Sequence, residues 1–137
     1  MKSLTLALTV GGLLACGGAR AGDVTKDDMR QVGLAYHNYF SANNKAPATA
    51  DDLAPFLDGG KDEVKRLVGL LKKEQIVFIY NVGILDMEDG TSNTVLAYER
   101  EIAKSGGFAL YGDGSVKTLT ADEFKKAIVA KPKKKDR

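Results

Sequence analysis

Between residues 25 and 73 the apolar positions recur every three or four residues. From residue 76 onward they come instead in short β-branched and aromatic runs broken by Gly, Asp and Asn. The first regime predicts helices. Thr25 followed three residues on by Asp28 is a weaker form of the capping box. Met29, Val32, Gly33, Tyr36, Tyr39 and Phe40 then share one helical face, with Leu34 on the other side. Asn43-Asn44-Lys45 ends that helix and Pro47 prevents its continuation. Thr49-Ala50-Asp51-Asp52 opens a second, short helix carrying Leu53, Phe56 and Leu57, which closes at Gly59-Gly60. A third, Asp62 to Lys73, turns Val64, Leu67, Val68 and Leu71 inward, and Lys72 and Lys73 suit the negative end of its dipole.

The second regime predicts strands at residues 76–80 and 94–101, separated by a polar loop from Asp86 to Asn93. Phe108 to Tyr111 and Ser115 to Leu119 flank Gly112-Asp113-Gly114, and Asp-Gly between apolar runs is a strong hairpin signal. Thr120 and Glu123 form a full capping box for a final helix, expected over 121–129. Helices first and strands after make the fold α+β, with an N-terminal helix packed on a small antiparallel sheet.

The 137 residues suffice for one small domain with a core. Apolar residues at 44% and charged residues at 28% argue against a wholly disordered chain. A net charge of +2 gives no reason to expect nucleic acid as a partner. The charge is unevenly placed, however: the tail from Lys131 to Arg137 holds five cations and one anion and reads as a basic, disordered extension.

The N-terminus reads as an address. Lys2 precedes an apolar run from Leu4 to Ala15, shorter than the roughly 20 residues that span a bilayer. The run ends at Leu13-Leu14-Ala15-Cys16, which looks like a lipobox: residues 1–16 would be a lipoprotein signal, Cys16 the lipid attachment site and residues 17–24 a tether. The other route is simple secretion, cut after Ala19-Arg20-Ala21. Both take the chain out of the cytoplasm. Cys16 is the only cysteine, which excludes a disulfide framework and a thiolate metal site from the domain at 25–130.

Three segments carry a family resemblance. Met29 to Tyr39 contains Gln31-Val32-Gly33-Leu34-Ala35-Tyr36-His37-Asn38-Tyr39. Asp89 to Glu99 begins Asp-Gly-Thr-Ser-Asn-Thr, and Tyr111 to Leu119 contains Asp113-Gly114-Ser115-Val116. In this order they resemble DUF1559, the planctomycete-type pseudopilin-like family. The lipobox-like leader stands where typical members have a prepilin leader and one long apolar helix. The resemblance therefore implies a pilin-like globular head, a location in the cell envelope, and a structural or interaction role without catalysis.

The residues suggest little chemistry of their own. His37, the single histidine, sits about 80° from the centre of the apolar stripe, where a structural role is favoured over metal binding or catalysis. The Asp86 to Asn93 loop is the best candidate for an ion or small ligand, since hard cations want several oxygens from one tight loop. Counted from Asp86, its glycine arrives at the fifth position and Ala97 stands at the twelfth, so it departs from the helix-loop-helix calcium pattern. The competing reading is a turn held by Asp89 and Asn93. Glu99, late in a strand, is expected to pair with a cation or to accept backbone hydrogen bonds. Asp113 is expected to be the hairpin aspartate. No cofactor is implied, and the expected partners are the membrane, through the lipid, and an envelope protein.

Overall fold

The computed structural model describes residues 24–132. The leader, Cys16 and the tether up to residue 23 lie outside the described residues, as do the last five residues of the tail. The first helix, α1, runs Lys26–Asn43 and is capped at both ends. At its start the Thr25 hydroxyl accepts from the Asp28 amide while the Asp28 carboxylate accepts from the Thr25 amide, 3.0 Å each. At its end Asn44 adopts the left-handed conformation, φ 56°, and its N–H returns to the Phe40 carbonyl. Met29, Val32, Gly33, Tyr36 and Tyr39 are buried along the stripe the periodicity predicts, Phe40 is half-buried, and Ala35 joins the buried set without having been expected there.

A second capping box, between Thr49 and Asp52, opens α2, Ala50–Leu53. A 3₁₀ turn, Ala54–Phe56, continues it with Pro55 in its first positions, where the missing N–H costs nothing. The third helix, α3, spans Lys61–Lys72 and buries Leu67, Leu70 and Leu71. It is riveted to α1 by charge. Arg66 donates to both Asp28 oxygens, at 2.6 and 3.3 Å, and also to Glu63. The Asp28 side chain is 3% exposed, and burial tends to raise its pKa. The Arg66 guanidinium and the Thr25 donors outweigh that and hold it below the usual carboxylate value.

The sheet follows in the order β1 (Ile76–Phe78), β2 (Thr94–Glu99), β3 (Gly107–Tyr111), β4 (Val116–Leu119), each antiparallel to the next. A short helix, α4, Ile102–Ser105, joins β2 to β3. The last helix, α5, covers only Ala121–Lys126, and Ile128–Val129 form β5, paired parallel with Thr94 and Val95 of β2.

Three expectations need correction. Strand β1 stops at Phe78, because Asn81 takes φ 65° and donates to the Pro47 carbonyl, which turns the chain off the sheet. Strand β2 stops at Glu99, two residues early, where the chain turns into α4 to bury Ile102. The final helix does not reach Val129. Ala127 is extended, and the Ala130 amide donates to the Val95 carbonyl at 2.8 Å, so sheet pairing overrides helical continuation.

Side chains fall on two faces. Helices α1, α2 and α3 cover one, where Tyr36, Leu53, Leu67, Ile76, Leu96, Ala97 and Leu110 share a continuous cluster. On the other, Val95, Ile102, Ala109 and Tyr111 are buried beneath Phe124, Ala127 and Tyr98. A β-bulge between Val95 and Ala97 explains the odd assignment of β2. Strict alternation would send the adjacent Leu96 and Ala97 to opposite faces, and the extra residue allows both to join the larger cluster.

Candidate functional site

The three segments that carry the family resemblance lie far apart in the chain and meet at the β3–β4 turn. That turn is closed by the Tyr111 amide on the Ser115 carbonyl, 2.8 Å, and the Gly114 amide on the Tyr111 carbonyl, 2.9 Å. Gly114 sits at φ 91°, a conformation that disfavours side chains. Asp113 holds the turn from within: one carboxylate oxygen accepts from the Ser115 amide at 2.9 Å and from its hydroxyl at 2.6 Å. Slight burial works to raise the Asp113 pKa, but the Ser115 donors hold it below the ordinary value.

The loop from 89 to 94 docks on this turn through backbone. The Gly112 amide donates to the Thr94 carbonyl at 2.9 Å and the Asp113 amide to the Thr91 carbonyl at 3.1 Å. Beneath them Met87 is buried, and its sulfur fills the space a Cβ on residue 112 would need. Helix α1 closes the third side. The Nε2 of His37 lies 2.8 Å from the Gly112 carbonyl; because a carbonyl only accepts, that nitrogen carries the proton and donates. One turn earlier Gly33 allows close approach, since a Cβ there would stand 2.8 Å from a methyl of Leu110. Tyr36 anchors the same stretch, its hydroxyl donating to the Val82 carbonyl at 2.7 Å. Burial, with Asp86 nearby, pushes the Tyr36 pKa far above normal, so it remains a neutral donor.

Asp86, Asn93 and the adjoining Thr94 bond backbone in and beside the 86–93 loop, while Glu88, Asp89 and Ser92 are exposed. Asp86 accepts from the Gly83 amide at 2.9 Å, Asn93 donates to the Asp89 carbonyl at 3.0 Å, and the buried Thr94 hydroxyl donates to the Gly90 carbonyl at 2.8 Å. The turn reading thus needs correction: Asn93 bonds a carbonyl instead of an amide, Asp89 takes part through its backbone carbonyl and not its side chain, and the carboxylate that accepts a backbone amide is that of Asp86. Among the described residues, no three His, Cys, Asp or Glu side chains are grouped so as to hold a metal ion. Glu99 accepts from the Phe108 amide at 2.6 Å and so bridges β2 to the start of β3.

Of the residues singled out from sequence, His37, Asp113 and the 89–94 run come together, while Glu99 serves the start of β3 and Cys16 is outside the described residues. The role of Met87 was missed; a lone methionine amid Asp, Glu and Gly was the available signal. Arg66 was missed as well, and nothing in its local sequence announces a partner 38 residues away. A groove of ≈ 490 Å³ runs between residues 85–89 and 128–132, with Met87 and Thr94 in its lining. No described helix is long and apolar enough to cross a membrane. No protein-family model, curated protein or solved structure matches the chain.

Proposed function

We propose that this chain is a lipoprotein-leader relative of the pseudopilin-like DUF1559 proteins. It is exported, held at a membrane through lipid on Cys16, and acts in the envelope as a structural or interaction protein. One observation carries the reading. The three motif segments converge on Gly112-Asp113-Gly114, and the polar side chains of His37, Asp113 and Ser115 there are bonded to backbone or to one another. A reaction centre needs a polar group aimed at a substrate. Here the His37 Nε2 is directed at a backbone carbonyl and the Asp113 carboxylate at Ser115, which suits a motif kept for building a head. The N-terminal helix lying across a small sheet fits a pilin-like head from which the membrane-spanning helix has been replaced by an acyl anchor.

Two or three acyl chains would hold such a head firmly, at about 0.8 kcal/mol per buried methylene. Metabolic labelling with a fatty-acid analogue tests the anchor. Wild type is expected to take label and fractionate with membranes, and Cys16→Ser to lose both. An unlabelled wild type, or equal label on the variant, overturns the reading.

A further inference from the structure

Three large apolar side chains stand exposed among the described residues: Leu34, Leu85 and Ile128. A single exposed leucine needs no explanation. Two of these three, however, line the same groove, the ≈ 490 Å³ channel between residues 85–89 and 128–132. Leu85 is 90% exposed, yet the turn that displays it is fixed at several points. The Asp86 carboxylate accepts from the Gly83 amide at 2.9 Å, the Asp86 amide donates to the Gly83 carbonyl at 3.0 Å, and Ile84 packs on the larger cluster. Just before it, the Val82 carbonyl is held by the Tyr36 hydroxyl. A side chain presented on a fixed turn loses little backbone freedom when it is covered, which lowers the cost of docking.

The two walls of the groove differ in charge. Glu88 and Asp89 are exposed on the Leu85 side, and Lys131 is exposed on the Ile128 side. Among the described residues none of these three makes an ion pair. Each wall thus joins one exposed aliphatic residue to unpaired charge, and the signs are opposite. A surface of that kind is complementary to itself: a two-fold axis lays each wall against the opposite wall of a neighbour.

We infer that this groove is an interaction surface whose partner is a second copy of this chain, with Leu85 of each copy seated against Ile128 of the other and Lys131 against Glu88 and Asp89. The leucine supplies the apolar anchor, and the matching of charge sets the register. The pairing gives the interaction role proposed above a partner of stated chemistry, and it requires no lipid on Cys16.

The pairing is tested on the chain from residue 17 onward, which carries no acyl group and keeps both core clusters, all of whose members lie between residues 24 and 130. Sedimentation equilibrium is expected to show a reversible monomer–dimer equilibrium between micromolar and millimolar concentration. Leu85→Asp is expected to weaken it on the order of 10- to 100-fold, and Lys131→Glu to weaken it severalfold. Thermal melts should stay at the wild-type temperature, since the substituted side chains are exposed. Glu88→Lys/Asp89→Lys/Lys131→Glu should restore association, because the exchanged walls match again. A monomer at every concentration, growth beyond a dimer, or an unchanged Leu85→Asp overturns the inference. So does a triple variant that pairs no better than Lys131→Glu alone. Fatty-acid labelling reads only Cys16, so the anchor and the pairing can fail separately.

Discussion

The two faces of the sheet are built by different means. On the face under α1, α2 and α3, nineteen buried described residues form one cluster drawn from α1, α2, α3, β1, β2, β3 and the segments between them, with Ala130. On the other, four buried residues are roofed by α4 and α5, helices of four and six residues. The large face owes its strength to non-local burial; the small one depends on a capping box, one aromatic pair and close sequence neighbours. Disturbance of the first should therefore unfold the molecule, and disturbance of the second should loosen only a corner.

The sharpest way to break this comparison is Tyr36→Ala. It removes a ring packed on Phe78, 5.9 Å between centroids, together with the hydroxyl bond to Val82. A loss of about 3–5 kcal/mol in urea unfolding is expected, and a loss under 1 kcal/mol would mean that the large face is not the main store of stability. Gly112→Ala comes next, at about 2–3 kcal/mol, since its Cβ meets the Met87 sulfur and the Thr91 carbonyl. In a double-mutant cycle Met87→Ala should recover part of that cost, and strict additivity would deny the contact.

Asp28→Asn should cost about 2 kcal/mol by weakening the tie to Arg66. It also carries a pH signature. A carboxylate with a lowered folded-state pKa binds its proton more weakly when native, so its stabilisation is full above the usual 3.8 and is lost as pH falls through the lower folded value. Wild type should thus lose stability on acidification below about pH 4, and the variant should show a shallower decline in the same titration. Phe124→Ala is the smallest, about 1–2 kcal/mol, from loss of the ring 4.8 Å from Tyr98. Hydrogen exchange should rise around α4, α5 and β5 while α1 stays protected; uniform exchange would erase the distinction between the faces.

The same contrast governs what was legible beforehand. Helix α1 announces itself because a cap, an apolar period and an Asn stop all agree over eighteen residues. The β3–β4 hairpin does so through Asp113-Gly114. Strand β5 was hidden because Phe124, Ala127 and Ile128 continue a helical spacing, and only the distant carbonyl of Val95 diverts the chain into the sheet. Helix α4 was hidden by its brevity. The meeting of His37, Thr91, Thr94 and Gly112 is a property of tertiary closure: each motif could be read separately, but their common point could not.

Strand β5 has one more implication. By pairing with Thr94 and Val95 it occupies backbone hydrogen-bonding positions on a stretch of β2 that β1 does not reach. A protease cutting after Lys126 would uncover an unsatisfied ribbon margin, the kind of template on which a second polypeptide adds itself. Trimming the carboxyl end would then convert a discrete particle into a self-associating one, with Ile128 and Val129 having served as its seal.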